Sequence, residues 1–418
     1  MAVAKALDAA TALEKALALP AVEARLAVEP DLKARAQQVV TAFTQVRDLQ
    51  LQRLALVEET AATRIKADEA RLAELAAAVT ELNGKLKPLQ AVLEDWKNKA
   101  LTAFEVFLKA YPKSSHVPKN LSRLGAIFLE LQQYDKASAT LNRLATEFPD
   151  SEATQEALFS LGRAQCEQGN YAKAAETFGK VLQKPAAVTP ANLAFISDRM
   201  LEKGTPALAL ATSRELIARS EKGKDAESEK IRAKAREPSL FRAGQACLQL
   251  KRYDEAVKFL STLIAESPST GFFFDACFGL AEARRNLTPP DLNGAMADLG
   301  QIIQFTQDPA QSNRAICLVG EALAAGSDQR SVQQAVARFQ QVALLADPKI
   351  EANRPWLEMA IVESAKAFAR LGQTKDRDEM VALYRERFPK GKRSTELSSL
   401  PAAQFQVPPT AGQPQAKP

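Results

Sequence analysis

A single histidine among 418 residues leaves this chain almost without the side chain that most often handles protons near neutral pH. His116 lies in the polar stretch Lys113-Ser-Ser-His-Val-Pro118, beside no nucleophile motif, and reads as a solvated turn residue. There is no glycine-rich phosphate loop and no metal-ligand cluster, and the Asp and Glu residues are spread along helix faces opposite Lys and Arg, as surface pairs are. No catalytic, cofactor-binding or metal-ligating residue is therefore assigned, and a non-enzymatic role is expected. The four cysteines, Cys166, Cys247, Cys277 and Cys317, have no C-x-x-C spacing and no histidine partner. Neither zinc nor dithiol spacing is present, which leaves small core residues, a disulfide between adjacent repeats or a functional thiol.

Long apolar runs are missing too, since nothing approaches the ~20 residues a membrane-crossing helix needs. The opening stretch after Met1-Ala-Val-Ala-Lys-Ala-Leu-Asp8 is interrupted by Glu14 and Lys15, which is wrong for a secretory signal. A cytoplasmic location is expected, or a periplasmic one if a signal segment was removed before Met1. A net charge of only +5, with no aromatics interleaved among the basic residues, disfavours nucleic acid as a partner even though Arg385-Glu-Arg-Phe-Pro-Lys-Gly-Lys-Arg393 is basic. Aromatics make up 6% of a chain that is 46% hydrophobic, so the apolar content is mostly alanine and leucine and the expected class is all-α.

What is present, repeatedly, is one pattern of positions. Leu121-Ser-Arg-Leu-Gly125, Tyr134, Ala137, Leu141 and Pro149 return as Leu158-Phe-Ser-Leu-Gly162, Tyr171, Ala174 and Phe178, and again as Leu240-Phe-Arg-Ala-Gly244, Tyr253, Ala256, Leu260 and Pro268. Twelve residues separate the glycine from the second-helix alanine each time. Small residues at a fixed spacing mark where two helices approach closely, the tyrosine plugs the corner between them, and the proline ends the second helix. Departing units follow: Leu193 to Leu216 has Ser197 where glycine is expected. Gly279 to Ile302 is stretched by Leu287-Thr-Pro-Pro-Asp291, Gly320 to Val342 by Ser327-Asp-Gln-Arg330, and Ile361 to Pro389 keeps Ala365, Phe368, Gly372 and Phe388.

These residues resemble the signature of the tetratricopeptide repeat family. The resemblance implies a TPR-type α-solenoid of about six to seven helix pairs, a scaffold that holds a protein or peptide on a concave face lined by first helices. Phe148-Pro-Asp-Ser151 and Ala157-Leu-Phe-Ser-Leu-Gly162 are most similar to the longer-linkered repeats of bacterial envelope proteins, and the 37 residues from Gly125 to Gly162 slightly exceed the usual ~34. In such repeats the ligand-facing positions flank the crossing residue. That nominates Phe159, Arg163, Phe241, Gln245, Glu321 and Lys366, with Phe159 and Phe241 supplying contact and Arg163 orienting an acidic group. The alternative is that both phenylalanines pack inside the stack. The lysine and asparagine clamp of chaperone-binding members is not reproduced, because Ser122, Ala126 and Ser160 occupy its places.

Ahead of the repeats, Ile65, Leu72, Leu75, Val79 and Leu82 follow three- and four-residue steps, the seam of a coiled coil. A helix from Asp31 to Leu82 would be ~75 Å long. Asn83-Gly84 reads as its stop and Pro88 as the start of the next helix. The seam is either an antiparallel hairpin on its own chain or an oligomerising coil. Coil plus repeats, with Ala103-Phe-Glu-Val-Phe-Leu108, also resembles the family of the Tol-Pal cell-division coordinator, without that family's polar linker and with more repeats. The mixed-sign stretch from Arg219 to Glu237 reads as a solvated helical extension. The expected organisation is a hairpin or coil over 1–92, the solenoid over 93–391, strongest at 118–185 and 238–268, and a disordered Pro-rich tail over 392–418. An adaptor is the leading expectation. A coiled-coil spacer that forms a homo-oligomer and an accessory subunit of an enzyme complex are carried beside it.

Overall fold

The computed structural model describes residues 30–65, 69–203, 205–221, 229 and 232–405. Among these residues the secondary structure is helical, with no strand. The chain divides into two compact units, residues 1–177 and 178–418.

The first unit opens on a helical hairpin. Helices α1 (Pro30–Ile65) and α2 (Glu69–Ala110) run antiparallel, with Ala42 and Val46 of α1 packed in one cluster with Leu86 and Leu93 of α2. Near the closed end, Arg71 reaches back to Glu59 at 2.6 Å. The hairpin alternative for the coiled-coil seam is thus the one observed, and Leu75 and Leu82 are buried at 1% and 8% exposure. The break is misplaced in the sequence reading. α2 passes straight through Asn83, Gly84 and Pro88, and the expected border at 92/93 falls inside it. Pro88 has no N–H to offer the carbonyl four residues back, and the residue there is Gly84, where a Cβ would meet nothing within 4 Å. Burial of Leu82, Leu86 and Leu93 on either side holds the helix together across the defect, as tertiary packing commonly overrides local propensity.

α3 (Val117–Glu130), α4 (Tyr134–Glu147), α5 (Glu152–Glu167) and the beginning of α6 (Tyr171–Val181) follow in the same unit. The apolar stripes of α3 and α4 meet in a cluster built on Leu121, Leu124, Phe128, Leu141 and Leu144. Between α5 and α6 the buried hydroxyl of Thr177 donates to Gln165 at 2.8 Å.

In the second unit the chain forms five further helix pairs: α7 (Pro190–Glu202) with α8 (Pro206–Glu221), α9 (Glu237–Gln249) with α10 (Tyr253–Glu266), α11 (Phe273–Arg285) with α12 (Leu292–Phe305), α13 (Pro309–Ala324) with α14 (Gln329–Leu345), and α15 (Arg354–Arg370) with α16 (Thr374–Arg387). With α3/α4 and α5/α6 the described residues hold seven pairs.

The small-residue crossings are real contacts. A Cβ on Gly125 would fall within 3.0 Å of Leu141, one on Gly244 within 3.0 Å of Leu260, and one on Gly320 at 2.5 Å from Phe339 Cε1. In α7 the expected glycine is Ser197, and its hydroxyl lies 2.7 Å from that of Ser213, so a buried polar group takes the crossing because it has a partner there. Gly279 behaves differently. Its Cβ would meet Leu260 Cδ1 at 2.8 Å, on the preceding pair's second helix rather than its own.

Four turns between first and second helices share one geometry. Gln132, Gly169, Lys251 and Gly372 all adopt positive φ, at 59°, 75°, 56° and 72°, and each lies seven residues after the crossing position. The next N–H closes back onto the helix, as in Gln133 to Phe128 O at 2.8 Å and Gln373 to Phe368 O at 3.0 Å, the Schellman pattern that satisfies orphan carbonyls.

The described ends of the Arg219-to-Glu237 stretch are tied down rather than solvated. Arg219 donates to the carbonyls of Val188, at 2.8 Å, and Pro185, and Arg236 to Glu266 at 2.7 and 2.8 Å. Residues 222–228, 230 and 231 of this stretch lie outside the described residues. The tail departs from expectation as well. Residues Ser394–Ser398 form a short 3-10 turn, and Leu397, Leu400 and Phe405 pack against the core of the last pairs. Residues 406–418 lie outside the described residues.

Candidate functional site

A helix that buries one stripe against its partner leaves the residues three before and one after the crossing on a neighbouring face, about 100° per residue around the axis. On α9 these are Phe241 and Gln245, flanking Gly244. On α7 the residue after Ser197 is Asp198. They converge with Glu202, and with Phe278 and Glu282 of α11 and Arg314 of α13, on a groove of about 500 Å³.

The groove has an aromatic floor. Phe241 stacks on Phe272 with ring centroids 4.5 Å apart and planes 14° from parallel. The Arg314 guanidinium lies 3.9 Å from the Phe278 ring centroid and 5.8 Å from that of Trp356, so a planar cation covers part of the floor at one end. The rim is acidic: Asp198 pairs with Arg242, Glu202 lies 3.0 Å from Lys203, and Asp275 and Glu282 stand exposed.

Of the six residues nominated from sequence, the structure brings Phe241 and Gln245 into this groove. Phe159 and Arg163 belong to α5 of the first unit, both half-buried, and Arg163 carries a buried Nε with no hydrogen-bond acceptor. Glu321 does not line the groove and pairs with Arg285 at 3.0 Å. Lys366 is engaged on α15 by Glu363 at 3.0 Å and by Glu396 of the C-terminal segment at 2.5 Å. Hydrogen bonds from Arg393 and then Lys366, against the cost of partial burial, bring the Glu396 carboxyl down to about 2.

Sequence reasoning missed Phe278 and Glu282. Counting from Gly279 points to Ala276 and Leu280, which are both buried. Gly279 packs against Leu260 of the preceding pair and does not mark its own pair's crossing, so a count from it misses them.

The four thiols are buried and unbridged. Burial pushes Cys247 up to about 11, and Cys277 and Cys317 up to about 12. They are core residues.

Helix pairs stacked through small-residue crossings define a helical-repeat protein, a class that builds extended binding surfaces. Three segments are matched by tetratricopeptide repeat profiles: residues 120–151 and 156–185 by one, and residues 237–270 by a second of that name. This repeat generally mediates protein–protein interactions, and its fold is typically a non-catalytic scaffold. Among solved structures, the chain is similar to a tetratricopeptide repeat protein from Parabacteroides merdae at 14% identity, covering 74% of this chain and 98% of that one, with a TM-score of 0.30. The C-terminal part of a TPR repeat-containing protein from Cytophaga hutchinsonii aligns at 14% identity over 73% of this chain and 97% of that one, TM-score 0.32. The apo quorum sensor NprR from B. thuringiensis aligns at 14% identity over 87% and 99%, TM-score 0.36. No curated protein matches the chain. The narrower likeness to the Tol-Pal coordinator family therefore rests on sequence pattern alone. No helix among the described residues is long and apolar enough to cross a membrane.

Proposed function

We propose that this chain is a protein-binding adaptor that seats a peptide across the first helices α7, α9, α11 and α13. An apolar side chain of the partner would rest on Phe241 and Phe278, with a basic residue beside it facing Asp275 and Glu282. The observation that carries this reading is the convergence of an aromatic floor and an acidic rim on one groove of about 500 Å³, a volume within the usual range of ligand sites, roughly 300–1,000 Å³. Buried aromatic anchors supply most of the energy at such interfaces, while rim charges act mainly on association rate and partner choice. The functional division that goes with it is hairpin, helix-pair array and C-terminal segment.

Peptide display on the immobilised full chain tests the proposal. Selected peptides should carry an apolar anchor next to Lys or Arg. Phe278→Ala should weaken them roughly 10- to 100-fold, as loss of an interface hot spot does, measured well below a melting temperature that truncation of this core side chain also lowers. Selection of no common pattern, or undiminished binding to a folded Phe278→Ala chain, would overturn it.

A second reading, self-association, has its own observation. Leu51, Leu54 and Val57 of α1 are 47%, 45% and 48% exposed at steps of three residues, an apolar stripe a second copy would cover. Sedimentation of the wild type against Leu51→Glu/Leu54→Glu decides it. A monomeric wild type at micromolar concentration removes this reading.

A further inference from the structure

The last helix pair already holds a peptide, and it is the chain's own. Beyond α16 the backbone passes Tyr384 at Gly391, where a Cβ would collide with the tyrosine hydroxyl. That hydroxyl donates to Glu358 at 2.7 Å and accepts from the Arg393 N–H at 3.1 Å. Arg393 then reaches Glu363 of α15 at 2.6 Å, and Glu396 reaches Lys366 at 2.5 Å. Further along, the N–H groups of Gln404 and Phe405 both donate to the Arg370 carbonyl, at 2.7 and 3.2 Å, and the Gln404 side chain accepts from Arg370 Nε at 2.9 Å. Arg370 O is one of the orphan carbonyls at a helix C-terminus, open to any donor that arrives. Between these two anchor points Leu397 and Leu400 rest on the apolar core, with Phe405 at the far end.

The segment thus contacts α15 at Lys366, a position the repeat pattern assigns to ligands, and does so with an ion pair, apolar side chains and main-chain hydrogen bonds, the three elements of peptide capture. Its hold is shallow. No residue of the 3-10 turn is buried, the apolar contacts are only partly buried, and residues 401–404 are exposed. Contacts of this kind persist in cis because the tether raises the local concentration to roughly millimolar, and they are weak in trans.

We propose that Arg393–Phe405 is an internal ligand of the last helix pair, displaced by a partner peptide bearing a carboxylate with aliphatic side chains one and four residues after it. The proposal rests on the reading of first-helix faces as binding surfaces, but at α15 rather than at the Phe278 groove, so the two fail separately.

A fluorescent synthetic peptide of residues 392–405 is titrated against the full chain, wild type and Glu396→Ala/Leu400→Asp. The released face of the variant should bind the peptide at least tenfold more tightly than the wild type does. Adding Lys366→Glu to that variant should abolish binding, and a peptide carrying Glu396→Lys should restore it. Equal affinity for the two chains, or no binding to a folded variant, would overturn the proposal and make the segment a fixed end cap. Hydrogen exchange on the wild type covers the case of a variant that does not fold. The Gln404 and Phe405 amides should exchange at least a hundredfold faster than the α15 core amides, and equal protection overturns the proposal.

Discussion

Gly244 and Gly300 are the same residue in the interior of two helices, and the same substitution should act on them with opposite sign. A Cβ at Gly244 runs into Leu260, which is itself fully buried and cannot swing away, whereas at Gly300 it meets nothing within 4 Å. Gly244→Ala is expected to destabilise by about 1–3 kcal/mol through overpacking, and Gly300→Ala to stabilise by about 0.5–1 kcal/mol by restricting the unfolded chain. Thermal melts of the two variants should shift in opposite directions. A shift of the same sign would contradict the crossing geometry. Asp298 on α12 makes a second prediction at this scale. It is 7% exposed, and burial pushes its carboxyl from 3.8 up to about 6, although Arg284 Nε lies 2.9 Å away and opposes the shift. Burial outweighs both the charge of Arg284 and its hydrogen bond. The folded state therefore holds this proton more tightly than the unfolded state. Its contribution to stability is complete below pH 3.8 and is lost as the pH rises through about 6. Relative to wild type, Asp298→Asn should gain on the order of 2 kcal/mol in urea unfolding between pH 4 and pH 7. A pH-independent difference would show that the carboxyl titrates normally.

At the scale of elements, α2 shows how packing settles a boundary that local signals leave wrong. Asn83-Gly84 is a strong stop signal and Pro88 a strong start, yet the helix continues because Leu75, Leu82, Leu86 and Leu93 are all buried along it. Pro88→Ala should therefore stabilise the chain by up to about 3 kcal/mol, since the exposed proline leaves only a missing bond and a clash. Leu75→Glu/Leu82→Glu should unfold the hairpin. If circular dichroism and melting are unchanged in that double variant, the seam has no role. The turns teach the complementary lesson. Glycine tolerates positive φ at Gly169 and Gly372, but Gln132 and Lys251 share that left-handed backbone although neither residue favours it. The Schellman closure, decided by two hydrogen bonds to the helix end, imposes it.

At the scale of the molecule, stability in stacked pairs is close to a sum of local terms, because each pair touches mainly its neighbours. A lesion should therefore stay local. In hydrogen exchange, Gly244→Leu is expected to lower protection in α9 to α12 while α15 and α16 keep theirs. Uniform loss over residues 178–418 would mean that this unit unfolds as one cooperative block.

By itself the sequence determined the helical class, the pairing of helices and the places where they cross. Those follow from the spacing of small and large residues, which depends only on local geometry repeated along the chain. It also nominated Phe241 and Gln245 from their fixed angles to a glycine, and left open whether Phe241 packs inside the stack. Tertiary structure alone decided the rest. Phe278 and Glu282 escaped the count because Gly279 packs against Leu260 of the preceding pair, a choice of neighbour that only the stacking makes. The fate of Lys366 depends on a carboxylate thirty residues away, Glu396, that pairs with it only once the chain has folded back. Where α2 runs on through its glycine and proline, the deciding term is area buried against α1, a quantity that exists only between elements.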